Sequence, residues 1–176
     1  MNLLIRQETP ADYAQVESLI GAAFADVPYS DQSEPQLVAR LRQGKEFQPQ
    51  LSLVATQQEI LVGHILFTPI LVEGSRQHQG LLALAPVSVL PAFQGQGIGG
   101  KLIQRGHEIA RELGYRGVVL VGHETYYPRF GYEEAATFGI KVPFEVPSAN
   151  VMALALSEEG LSGISGTVVY PSAFFG

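Results

Sequence analysis

The sequence predicts a single α/β domain of the α+β kind, spanning 1–176, in which a mixed, mostly antiparallel central sheet is flanked by helices. Three observations carry this prediction. The chain has 176 residues, the size of one domain. Hydrophobic residues make up 46% and charged residues 16%, enough for a sizeable core and too apolar for disorder. The hydrophobic period also switches along the chain, from helical spacing to strand runs, back to helix and then to strand.

Leu3, Leu4 and Ile5 form a short apolar strand that runs into a helix start. Thr9 can cap, Pro10 suits a first turn, and Asp12 sits near the positive end. Val16, Leu19, Ile20 and Ala23 then recur at helical spacing. A second helix is expected from Ser33, with Gln36 as capping-box partner and Leu37, Val38 and Leu41 on its apolar side. Residues 51–56, 60–72 and 80–90 read as three strands joined by short polar turns, an antiparallel meander. A glycine-rich loop follows, then a helix with Ile98, Leu102, Ile109 and Leu113 on one face and Gly114 ending it. Residues 117–122 are a buried strand, expected parallel to the 81–89 strand because a helix connects them. Residues 123–134 have room for one short helical turn before another strand, and 151–157 and 167–172 read as late strands.

Composition narrows function. No cysteine is present, which removes disulfide scaffolds, thiolate metal sites and cysteine nucleophiles. The net charge of −6 without a basic stripe argues against nucleic acid as a primary partner. The longest apolar runs are broken by prolines and are shorter than the ~20 residues of a spanning helix, and the N-terminus lacks a signal-peptide pattern. A cytoplasmic protein with no membrane partner is the expectation. No two histidines stand at metal-ligand spacing, so no metal is expected. Gly160 and Ser162 suggest a nucleophile elbow, but its closing glycine is missing.

The chemistry concentrates in PAFQGQGIGGKL, residues 91–102, between a strand and a helix. Glycines at a helix N-terminus let unpaired N–H groups converge on an anion. Gly95, Gly100 and Lys101 fit a P-loop, but Leu102 stands where the magnesium-binding hydroxyl belongs. Gly95, Gly97 and Gly100 spell a dinucleotide fingerprint, yet four residues separate the strand from the first glycine and the upstream strands read as antiparallel. A third pattern is Val89-Leu90-Pro91 followed by Gln94, Gly97 and Gly99, that is Q-x-x-G-x-G. With the order of elements and Tyr127, Gly131 and Tyr132 in TYYPRFGY, it resembles the GNAT superfamily of N-acetyltransferases, and in detail the YhbS-like bacterial subgroup.

That resemblance implies the acyl-CoA N-acyltransferase fold and direct attack of an amine on the thioester of acetyl-CoA. It implies that Gln94, Gly95, Gln96, Gly97, Ile98, Gly99, Gly100 and Lys101 hold the pyrophosphate, with Arg105 adding charge. Val87, Ser88 and Val89 would pair with the pantetheine arm and aim an N–H at the acetyl carbonyl. Tyr127 matches the tyrosine that protonates the departing thiolate, with Tyr126 its competitor. The strand glutamate of many relatives is missing, so His123 and Glu124 are the nearest candidates for the base, and His64 a third. His78 and His107 are expected at the surface. Acceptor recognition is expected from Asp26, Tyr29, Asp31 and Glu34. The alternatives are a CoA-binding module without catalysis and a nicotinamide-nucleotide enzyme. A monomer or homodimer is expected, the latter through late edge strands.

Overall fold

The computed structural model describes residues 2–74 and 80–176. A nine-stranded sheet forms the centre, and the strands fall in the order β1 (Leu3–Gln7), β2 (Ser52–Gln57), β3 (Ile60–Val72), β4 (Leu81–Val89), β5 (Gly117–Val121), β8 (Val151–Ala155) and β6 (Glu133–Glu134). Two further strands, β7 (Ile140–Lys141) and β9 (Gly166–Val169), pair with each other, and β9 also pairs with the far end of β3. The β4–β5 and β7–β9 pairs are parallel and the others antiparallel.

Among the described residues three α-helices cover the sheet: α1 (Tyr13–Phe24) and α2 (Glu34–Gln43) on one face, α3 (Ile98–Glu112) on the other. The strand period of two sorts the core accordingly. Val54 and Leu66 pack with Val16, Ile20, Val38 and Leu41. Leu53, Ile65 and Phe67 pack with Leu102 and Ile103 of α3. A third cluster, including Val72, Ile140, Leu161 and Val168, closes the C-terminal end.

The first helix begins with a 3-10 turn at Pro10–Asp12. Asp12 does more there than complement a dipole. Its carboxylate accepts the Thr9 N–H (2.8 Å), the Thr9 hydroxyl (3.1 Å) and both Arg6 end nitrogens (2.8 and 2.9 Å). The Arg6 hydrogen bonds lead in holding that carboxyl well below its ordinary range.

Three expectations need correction. The capping box at Ser33 does not form, because its hydroxyl donates to Asp31 instead. Leu113 is exposed rather than core-facing; the buried stripe of α3 is Ile98, Leu102, Ile103, Gly106, His107 and Ala110. His107, expected at the surface, is therefore inside. His78 lies outside the described residues. Gly114 does end the helix with a left-handed φ of 88°.

Candidate active site

Strands β4 and β5 pair only from Leu81↔Gly117 to Ala83↔Val119. Beyond Ala83, β4 follows β3 with a slipped register: Phe67 faces Leu84, but Ile65 faces Val87. Three steps on β4 thus match two on β3, a bulge at Ala85 and Pro86. β5 meanwhile stays with β8 as far as Val121. The parallel strands part, and a cavity of about 550 Å³ opens between them, bounded in part by Pro86, Val87, Gly122, His123, Tyr127 and Asn150.

Ladder alternation decides which main-chain groups face this wedge. The Leu90 N–H donates to the Val62 carbonyl at 2.9 Å. Ser88, two residues earlier and opposite His64, turns its main-chain groups to β3 in the same way. Val87 and Val89 turn theirs to the wedge. The Val89 carbonyl accepts Gln94 Nε2 at 3.0 Å, so this glutamine ties the loop to the strand end. Ser88 keeps its hydroxyl buried and without a hydrogen-bond partner. It is thus not brought to the wedge with its neighbours.

The loop continues from the Val89 end of β4 through a 3-10 turn, Pro91–Phe93, to the N-terminus of α3. Gly95 (φ 79°) and Gly97 (φ 81°) take left-handed conformations that cost a residue with Cβ ~1–2 kcal/mol. A Cβ at either would meet nothing within 4 Å, so both border open space. Gly97 is the N-cap, and its carbonyl accepts the Lys101 N–H at 3.1 Å to close the first turn. The N–H groups of Ile98, Gly99 and Gly100 precede that first helical bond and are donors without an intrahelical acceptor. The result is a cradle for an anion, next to the main-chain groups of Val87 and Val89. Ile98 contributes backbone only, since its side chain is buried in the core. Gly99 and Gly100 serve packing: a Cβ there would lie 3.4 Å from the Tyr126 hydroxyl and 3.2 Å from the Phe130 ring. Lys101 is exposed at this end, whereas Arg105 pairs with Glu108 at 2.9 Å.

A 3-10 turn at Tyr127–Phe130 swings the tyrosines under the loop. Tyr126 aims at Gly99, while Tyr127 lines the wedge. The Tyr127 ring lies edge-on to Tyr126 and Tyr132, with centroids at 5.0 and 5.9 Å. Burial first, then the neighbouring Tyr126 and Tyr29, pushes its phenol up to about 12. Gly122 makes room for it, because a Cβ there would stand 2.5 Å from ring carbon Cε2.

His123 lines the cavity as well. Its Nε2 lies 3.2 Å from the Tyr29 hydroxyl, so the loop between α1 and α2 meets the end of β5. Glu124 turns away from the cavity and accepts Asn150 Nδ2 at 2.8 Å. Asn150 also donates to the Gly122 carbonyl at 2.9 Å, fixing the turn that presents His123. Nothing in the sequence around Asn150 singles it out. Glu34 lines the wedge and accepts the Ser30 hydroxyl at 2.7 Å, whereas Asp31 is spent on the Ser33 turn and Asp26 is exposed on the loop.

His64 is not brought to the wedge. It is wholly buried between the sheet and the α1–α2 layer, with Nε2 3.2 Å from the Ser52 hydroxyl and 3.7 Å from Glu8. Burial and then the Arg42 charge lower its pKa to about 3, so it stays neutral. Glu8 does not reverse this, because its carboxylate is already paired with Arg42 at 2.6 Å. His107 is similar: burial and then Arg111 lower it to about 4, and its Nε2 lies 2.8 Å from the Tyr132 hydroxyl. Among the described residues no cluster of metal-ligating side chains occurs, and no helix is long and apolar enough to cross a membrane.

A strand pair thus splays beside a glycine-rich helix start, and the match to known proteins gives the family. Residues 16–132 match the acetyltransferase (GNAT) family, and the chain is a GNAT N-acetyltransferase. Within the family it is similar to YhbS of Escherichia coli K12, an N-acetyltransferase 30% identical over 173 residues that cover 98% of each chain. It is 42% identical to the N-acetyltransferase YjhQ of the same organism over 115 residues, and this match spans 64% of YjhQ and 65% of the present chain. The crystal structure of E. coli YhbS in complex with CoA superposes with a TM-score of 0.90 at 29% identity, covering 99% of this chain and 93% of that one. A GNAT acetyltransferase from Brucella melitensis in complex with acetyl-CoA gives 0.82 at 39% identity, covering 98% of both. The dinucleotide fingerprint is thereby a coincidence of glycine spacing, since a doubly wound parallel sheet is absent from the described residues.

Proposed function

We propose that the protein moves an acetyl group from acetyl-CoA to a primary amine by direct attack, with the reacting groups gathered in the β4–β5 wedge. The observation that carries this reading is the bulge at Ala85 and Pro86, which parts β4 from β5 directly beside the glycine cradle. Bound acetyl-CoA supplies the thioester whose carbonyl carbon gains the amine nitrogen and loses sulfur, leaving an amide and free CoA.

The chain's own residues would do the rest. Free N–H groups from Gly95 to Gly100, with Lys101 nearby, hold the pyrophosphate. This lets a chain of net charge −6 bind a polyanion, because the donors are local and oriented. Val87 and Val89 extend the ladder toward the pantetheine arm, and a Val87 N–H aimed at the acetyl oxygen is worth ~3–4 kcal/mol as charge develops there. Tyr127 is the acid. Because burial keeps it a neutral phenol up to about pH 12, it always has a proton to offer the sulfur. Full transfer to a thiolate of ordinary pKa ~8.5 is uphill by ~5 kcal/mol, so its main service is a hydrogen bond to the leaving sulfur. His123, which lines the same cavity as Tyr127, takes the amine proton directly or through water. Glu124, held by Asn150, orients that turn.

Calorimetric titration with acetyl-CoA, beside ATP and NADH, tests the cradle; binding of acetyl-CoA alone is expected, and a signal only for another nucleotide overturns it. Thiol release with an amine panel tests the chemistry. Tyr127→Phe should cut kcat by ~10²-fold or more with acetyl-CoA affinity nearly intact. Unchanged kcat would remove Tyr127 from the acid role. Tight binding with no turnover of any amine would favour a CoA-binding module.

A further inference from the structure

The wedge does not end at the thioester. A second cavity of about 340 Å³ adjoins it, and the two share Leu37, Leu84, Ala85 and Val121 as walls. Its far side is aromatic: Phe144, Tyr170, Phe174 and Phe175 line it. Tyr170 binds this wall together, with ring centroids 5.8 Å from Phe144, 4.9 Å from Phe174 and 6.2 Å from Phe175. Phe175 is nevertheless 65% exposed and Phe144 44% exposed, so two of the lining rings stand open to solvent. Among the described residues no lysine or arginine lines either cavity, and the one carboxylate is Glu34, in the wedge.

Resting on the acetyl-transfer reading, we propose that the acceptor is a primary amine on an apolar, preferably aromatic, arm that carries no carboxylate or phosphate. The ammonium enters beside Glu34, and the arm lies in the second cavity. An anionic group on the acceptor would find no cation there. A second ammonium on the arm would find no carboxylate there, because Glu34, the one among the described lining residues, faces the first. The space is ample, since a cavity of ~150 Å³ already takes up benzene.

The test uses three amines that share a four-carbon spacer: 4-phenylbutylamine, 1,4-diaminobutane and 5-aminopentanoate. Expected is a kcat/KM for 4-phenylbutylamine at least ~10-fold above the other two, and a ratio that falls toward one in Phe144→Asp. Phe175→Asp, also at a solvent-exposed ring, repeats the measurement should the first variant misfold. Equal or better turnover of the diamine or the amino acid overturns the inference while leaving acetyl transfer standing. If no amine is turned over, acetyl transfer itself is in question, and calorimetry decides the cavity separately. Titration of CoA-saturated protein with 4-phenylbutylamine should then show binding that Phe144→Asp weakens ~10-fold, and silence there overturns the inference as well.

Discussion

Gly106 lies in the middle of α3, with its bare face against Phe67. A methyl group added there would come to 2.5 Å from Phe67 Cζ and closer still to Cε1. Carbon atoms settle at ~3.5–4.0 Å, so the ring or the helix must retreat by about 1 Å. The ring has nowhere to go, because Phe67 is fully buried in the cluster that holds Leu82, Leu102 and Ile103. With the added carbon under 3.0 Å from a ring that cannot move, overpacking falls in the upper part of its usual range, ~2–3 kcal/mol, and alanine's better helix propensity returns ~1 kcal/mol. Gly106→Ala should therefore lose ~1–2 kcal/mol, a fall in Tm of about 2–8 °C for a chain of this length. Urea unfolding followed by circular dichroism reads the change. Phe67→Leu in the same background should recover part of the loss, with a coupling of ~0.5–3 kcal/mol in the double-mutant cycle. A Gly106→Ala protein as stable as the parent, or zero coupling with Phe67, would refute the reasoning.

Three other outcomes are expected. Gly97→Asp should weaken acetyl-CoA at least ~10-fold, by strain at a φ of 81° and by negative charge in the cradle, with Gly97→Ala separating the two; an unchanged Kd would mean the loop holds something else. Gly122→Ala should lower kcat by displacing the Tyr127 ring while acetyl-CoA affinity stays within about twofold, and steady-state kinetics with calorimetry checks both. Acid should destabilise the fold well before its carboxylates titrate. His64 and His107 are held at about 3 and about 4 against an ordinary 6.5, so the unfolded chain binds more protons below pH 6.5. Stability is full above that pH and falls as pH drops, by on the order of 5 kcal/mol between pH 7 and 4.5. Asp12 loses its contribution only below its ordinary 3.8, so a flat stability curve from pH 7 to 4.5 would refute the histidine assignment.

The sheet and helices were legible because each element has the period its neighbours require. The parallel pairing of β5 with β4 followed from the connecting helix alone. The turn of the loop was legible because Gly95 and Gly97 are needed for φ, a local property of the backbone. What escaped depends on contacts distant in sequence. His107 looked solvent-facing until its partner, Tyr132, came into place 25 residues later. His64 looked like a base until Glu8, Arg42 and Ser52 enclosed it. Asn150 matters through the turn it grips, not through any pattern of its own. The bulge was invisible for another reason, since Ala85 and Pro86 sit in an apolar run with no sign that one residue is extra.

That bulge leaves the sheet unfinished at one place. Between Leu84 and Val89, β4 has a neighbour on one side only, and the Val87 main chain looks into open space. A molecule with its own N–H and C=O groups, laid along this stretch, acts as a removable strand. Two measurable quantities then become linked. Amide exchange at Val87 and Val89 should slow in step with occupancy, and the whole fold should gain RT ln(1 + [L]/Kd), ~2.7 kcal/mol at a hundredfold excess. How long the protein lasts would thus depend on how much cosubstrate surrounds it, with no regulatory domain required.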